Sequence, residues 1–393
     1  MALLPHSIAN PFSDLSLERL RRRTSAKWRV YPEDVLPLWV AEMDAMIASP
    51  IVAAVQTALS NGDTGYPAGF AYAESMASFA LDRWRWAFDP STTAMVTDVM
   101  TGIVEVIRII SPDDEAIVVT PPVYPPFYGV ARTLGRTIVL APLDPQYRLD
   151  SAALEAAFIK ATMRRRGAIL LLANPHNPAG TVPTREELDE VARLARQYGV
   201  RVIADEIHAP LMMPTSTFTP YLMASGTGPD FSVSSASKGW NLAAFKAAVI
   251  VPGTDSVRDL QSFPEREGNH PGHIGLIAHT AAYNDARSWL DAAVAGIDAN
   301  RHTLAALLGE LLPNARYCPP ESTYLAWIDC GELGLGDEPA KVFLEHGRVA
   351  LSSGTAFGEG GAGYVRLNLA TSTQILTEAV TRMASVHART VLV

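Results

Sequence analysis

Between residues 94 and 252 the chain alternates short, mostly apolar runs with longer stretches whose apolar positions recur every three or four residues. The short runs are 94–97, 117–120, 138–140, 168–173, 200–205, 232–234 and 247–251. Their length and largely apolar character predict strands buried on both faces. The longer stretches predict helices over 103–110, 124–134, 151–165 and 184–198. Thr184 and Glu187 open the last of these as a capping box. Strands alternating with helices predict an α/β fold, a three-layer large domain around a mostly parallel, mixed sheet.

The flanking regions read differently. A short helix is predicted over 16–23, with Ser16 as its cap. Pro32 and Pro37 exclude a continuous helix through Trp28 to Asp44, so this stretch is read as an extended arm. Ser49-Pro50 opens a helix that Asn61-Gly62 stops. Met76, Phe79, Ala80 and Trp84 share one face of another helix over 71–86. Past about residue 285 the pattern predicts a long helix over 288–312, strands at 324–328, 349–351 and 364–369, and helices at 339–347 and 373–390. That is a smaller α+β domain. The expected division is an arm at 1–47 joining the small domain, a large domain at 48–287 and a small C-terminal domain at 288–393.

Charge and composition narrow the function. The 393 residues carry a formal net charge of -9, and Arg21-Arg22-Arg23, the one short basic run, reads as a solvated helix face. Neither nucleic acid nor an anionic membrane is the expected partner. No apolar run is long enough to span a bilayer, and residues 1–10 do not read as a signal peptide. The two cysteines, Cys318 and Cys330, do not form a CxxC pair. A reduced, cytoplasmic compartment is expected.

In open α/β sheets ligands bind at the carboxyl ends of the strands, so the residues that follow each strand carry the chemistry. After 94–97 comes Thr101-Gly102-Ile103, read as a helix start able to cradle a phosphate. After 117–120 comes Tyr124, an aromatic able to lie on a planar ring. Asn174-Pro175-His176-Asn177-Pro178 follows 168–173, and Asp205-Glu206-Ile207-His208 closes 200–205. Ser235-Ala236-Ser237-Lys238 follows 232–234. A phosphate cradle, a stacking ring, an amide, a carboxylate and an amine are the complements of pyridoxal phosphate.

These motifs, with Val365-Arg366-Leu367-Asn368, together resemble a fold-type I pyridoxal-phosphate enzyme. Trp28, Trp39-Val40-Ala41-Glu42-Met43-Asp44, Gly65-Tyr66-Pro67 and Ser322-Thr323-Tyr324-Leu325-Ala326-Trp327 narrow the resemblance to the cystathionine β-lyase (C–S lyase) branch, the MalY/PatB type. It implies that Lys238 bonds the cofactor aldehyde and later carries the Cα proton. Asp205 would pair with the pyridine nitrogen, Asn177 with the phenolic oxygen, and Tyr124 would lean over the ring. Gly102, Ile103 and Ser235 would hold the phosphate, joined by Lys246 and by Tyr66 from a second subunit of a homodimer. His208 would lie near the cofactor. Arg366 would bind the α-carboxylate of a sulfur amino acid, with Trp39, Tyr66 and Asn177 beside it. The expected reaction is C–S β-elimination to a thiol, pyruvate and ammonia. An aminotransferase with the same core, or a regulatory protein that retains the cofactor, remains open. Two departures fall near the substrate: Glu42-Met43-Asp44-Ala45 where the branch reads Asp-Met-Asp-Phe, and Gly239-Trp240 after the lysine. His270, His273 and His279 are not expected to hold a metal, because no carboxylate or cysteine completes a site. The glycines from Gly354 to Gly363 read as a mobile loop near Arg366 and not as a phosphate loop.

Overall fold

The computed structural model describes residues 9–111, 115–163, 167–262 and 271–390. In chain order its strands are β1 (Leu36–Pro37), β2 (Ala94–Val96), β3 (Ala116–Val119), β4 (Ile138–Leu140), β5 (Ala168–Ala173), β6 (Val200–Asp205), β7 (Phe231–Ser234), β8 (Ala248–Pro252), β9 (Arg316–Tyr317), β10 (Leu325–Asp329), β11 (Val349–Ala350), β12 (Ser352–Ser353) and β13 (Tyr364–Asn368). Seven of them form one sheet in the order β2-β8-β7-β6-β5-β3-β4. Only β8 runs against its neighbours, pairing antiparallel with both β2 and β7. Every residue of β3, β5, β7 and β8 is buried, as continuous apolar strands between two helical layers should be.

The helices predicted around this sheet are present. The Thr184 box has both of its bonds, and the helix it caps, Arg185–Tyr198, ends at Gly199 with φ at +67°. Three helical segments escaped the sequence pattern, Ala26–Arg29, Val257–Gln261 and His273–Asp285. The first makes a helical turn through Trp28, ahead of Pro32, where the arm was expected to be extended. Helix His273–Asp285 lies against helices Ser49–Ser60 and Ala71–Trp84. It buries Leu276, Ala278, His279, Ala281, Ala282 and Tyr283. A helix covered on more than one side shows no clear polar stripe, so its period is hard to read. Part of the predicted helix over 151–165 (residues 164 and 165) lies outside the described residues.

The C-terminal part builds a four-stranded antiparallel sheet, β12-β13-β10-β9. The N-terminal segment joins it. Strand β1 pairs parallel with β11, Leu38 O accepts from Asn368 N, and Asp44 N donates to Ala370 O. The segment from Trp39 to Ala45 then crosses to the large sheet as a strap held through its carbonyls. Asn368 Nδ2 donates to Val40 O and Glu42 O at 2.8 and 2.7 Å. Arg23 donates to Met43 O and Ala45 O. Below the strap Lys27 and Asp44 form an ion pair at 2.8 Å, with both side chains at 1% exposure or less.

Candidate active site

Asp205 closes β6 at the centre of the large sheet. The turns after β5 and β7 flank it with Asn177 and Lys238, and Tyr124 follows β3 one strand further out. These four side chains, with Pro175, Ile207, His208, Ser237, Lys246 and Arg366, line one cavity of about 440 Å³. The strap residues Val40 and Ala41 also border it.

Lys238 Nζ donates to Ala41 O at 3.0 Å, and Tyr324 OH donates to the same oxygen at 3.1 Å. Burial, then the nearby Arg366 charge, pull the amine down to about 8. Asp205 moves the other way. Burial pushes its carboxyl up to about 6, against the Ile207 N–H bond at 3.1 Å and the Lys238 charge. No cation lies within 4 Å of it among the described residues. Burial also holds His208 well below its ordinary value, so its imidazole is neutral. His208 Nδ1 is buried without a partner, and the ring stands edge-on to Tyr324 at 6.3 Å. Burial and then the Asp205 charge raise Tyr124, so its phenol stays protonated.

Arg366 is 7% exposed. Its guanidinium donates to Asn177 Oδ1 at 3.0 Å, Trp39 O at 3.1 Å and Ser352 Oγ at 3.2 Å. Those bonds use three of its five N–H groups. Nε–H is buried with no acceptor, and no carboxylate pairs with Arg366 among the described residues. A buried guanidinium with unspent donors is built to receive an anion from outside the chain.

The phosphate end differs in detail from the sequence expectation. Helix Val99–Ile110 starts one turn earlier than predicted, because Asp98 caps it by accepting from Thr101 N. Gly102 N–H is already bonded to Asp98 O at 2.9 Å. Gly102 instead lets the helix pack on the sheet, since a Cβ there would stand 3.1 Å from Val233 and Val96. Ile103 is fully buried in the core beside it. Neither lines the cavity, whereas Val99 and Met100, in the first turn, do. Ser235 is also set back. Its hydroxyl donates to Ala247 O and accepts from Ser237 N, and Ser237 faces the cavity. Lys246, in a left-handed conformation at φ +45°, pairs with Asp98 Oδ2 at 2.8 Å on the rim. An Asp three residues before Thr101 was the available signal for the true helix start.

Trp39 and Tyr66 lie outside this cavity. Trp39 lines a neighbouring one, and Tyr66 is 98% exposed. His270 lies outside the described residues, while His273 pairs with Asp63 and His279 with Tyr72.

The set fits pyridoxal phosphate. A helix N-terminus with Ser237 and Lys246 suits the phosphate, a buried carboxylate suits a protonated ring nitrogen, and a depressed lysine suits the aldehyde. The description Aminotransferase class I and II matches residues 34–383. The chain belongs to that family. It is 49% identical over 393 aligned residues to a Mycobacterium leprae protein named "Putative cystathionine beta-lyase", covering 95% of this chain and 98% of that one. It is 32% identical to the cystathionine beta-lyase of Corynebacterium glutamicum, covering 94% and 98%. The structure of a "putative plp-dependent beta-cystathionase" from Corynebacterium diphtheriae superposes with a TM-score of 0.90 at 32% identity, covering 95% and 98%.

Proposed function

We propose that this chain is a pyridoxal-phosphate-dependent C–S β-lyase that splits cystathionine or related cysteine S-conjugates into a thiol, pyruvate and ammonia. One observation carries the reading. A depressed lysine, a buried carboxylate and an arginine with unspent donors converge on one cavity, in a chain alike over nearly its whole length to proteins named for that reaction.

The cofactor supplies an electron sink for charge developing at the substrate Cα. The chain does the rest. Asp205 keeps the ring nitrogen protonated, and Asn177 Nδ2 is free to donate because Arg366 occupies Oδ1. Arg366 holds the α-carboxylate, which orients the Cα–H bond. Lys238 Nζ takes the Cα proton. An amine near 8 is partly neutral at working pH, as a base must be. The C–S bond then breaks, the sulfur takes the proton held on Lys238 Nζ and departs as thiol, and water hydrolyses the released three-carbon enamine to pyruvate and ammonia. In this reading a second copy of the chain supplies Tyr66, which fits its exposure. No helix among the described residues is long and apolar enough to cross a membrane, and two free cysteines support a cytoplasmic location.

The test is pyruvate release by the purified holoenzyme from cystathionine, cystine, cysteine and S-alkyl cysteines, with no keto acid added. Pyruvate without an acceptor is the expected result. A strict requirement for a keto acid would make the enzyme an aminotransferase.

A further inference from the structure

A second cavity, of about 470 Å³, lies on the outer side of Arg366. Val40, Tyr124 and Arg366 line both it and the cofactor cavity. A substrate with its amine toward Lys238 and its carboxylate on Arg366 has one large group left, the sulfur substituent. The outer cavity is where that substituent has room. Its walls suit a thioether chain. Tyr31 and Trp39 meet edge to face at 5.8 Å, and Leu351 and Phe357 line the same cavity.

The far rim carries charge. Glu338 stands at the start of helix Pro339–Gly347 and lines the cavity. Ser353 Oγ donates to one of its carboxylate oxygens at 2.5 Å, and Thr355 Oγ1 donates to the other. Two hydroxyls therefore fix its orientation at the solvent-exposed rim, and no cation lies within 4 Å of it among the described residues. Lys341, one turn on, also lines this cavity but reaches toward Glu345, at 3.9 Å. The helix start offers Glu338 only partial positive charge. Trp39 Nε1–H, on the same cavity, is buried with no acceptor. An oriented carboxylate without a counter-ion, aromatic faces and an idle donor are what a distal ammonium and carboxylate would use.

We propose that this outer cavity receives the sulfur substituent, and that Glu338 makes the enzyme prefer cysteine S-conjugates whose substituent ends in a protonated amine. The assignment rests on the lyase reading above.

Pyruvate release by the holoenzyme tests it with three substrates. These are cystathionine, S-(3-carboxypropyl)cysteine, which lacks only the distal amine, and S-ethylcysteine. The wild-type enzyme should favour cystathionine over its deaminated analogue by about three- to fivefold in kcat/KM. Glu338→Gln should erase that preference through KM while changing the other two substrates less than about twofold, and Glu338→Asp should restore part of it. Turnover of S-ethylcysteine reports that each variant is folded. Equal kcat/KM for cystathionine and its analogue in the wild type, or an equal fall on all three in Glu338→Gln, overturns the Glu338 assignment and leaves the lyase reading intact. No pyruvate from any of the three overturns both.

Discussion

Lys238→Met should give an inactive protein that is more stable than the wild type at neutral pH. The lysine amine falls from an ordinary 10.5 to about 8 in the folded chain, first because of burial and then because of Arg366. The unfolded chain therefore holds this proton more tightly than the folded one. The penalty is complete below about 8, shrinks as pH rises from there, and vanishes above 10.5. Its size follows from about 1.4 kcal/mol for each factor of ten in proton affinity, or about 3 kcal/mol at pH 7. The open cavity leaves Lys238 only half-buried, so about 2 kcal/mol is the working figure. Methionine removes the charge at nearly the same volume. Ala41 O keeps its Tyr324 bond, so no carbonyl is orphaned. The assay is urea unfolding of the cofactor-free protein at one fixed protein concentration, from pH 6.5 to 10.5. The gain in free energy should be largest below pH 8 and close toward pH 10.5. A gap that stays constant with pH would mean methionine packing is the cause. A less stable variant at pH 7 would refute the reasoning outright.

Arg366→Lys puts a single point of charge where a fork now spans Asn177, Trp39 and Ser352. Loss of a buried charge-assisted pair costs about 2–5 kcal/mol, so kcat/KM should fall by about 30-fold or more, and steady-state kinetics showing under fivefold would remove Arg366 from the substrate. Lys27→Ala leaves Asp44 buried and unpaired beneath the strap, so the urea midpoint should report a loss of about 3–5 kcal/mol, with Lys27→Met plus Asp44→Leu recovering most of it. Gly275→Ala would set a Cβ 1.9 Å from Phe245 O, next to Lys246. We expect about 1–3 kcal/mol lower stability and a raised Kd for pyridoxal phosphate by absorbance titration, whereas Gly309→Ala, with nothing within 4 Å, should cost nothing.

Much of the site was legible in one dimension. Lys238, Asp205, Asn177 and Tyr124 each follow an apolar run, and a parallel sheet brings such strand ends to one edge whatever the loops do. The sheet itself was legible because strands buried on both faces carry few polar positions. Hydrogen-bond partners were not legible. Thr101-Gly102 looked like a helix start, but the Asp98 side chain had already capped the helix and used the Gly102 N–H. Ser235 and Ser237 are equivalent as sequence, and only the position of Ala247 O turns the first inward and leaves the second on the cavity. Helix His273–Asp285 was hidden because neighbours cover more than one of its sides. The outer cavity is the clearest case. Trp39 and Arg366 come from opposite ends of the chain, and Glu338 belongs to a helix whose sequence gives no hint of a ligand. The sequence alone determined which chemical groups the protein owns and the strand ends that carry them. Tertiary structure decided which of those groups are already spent on one another and which are left free for a substrate, because burial and pairing depend on neighbours distant in the chain.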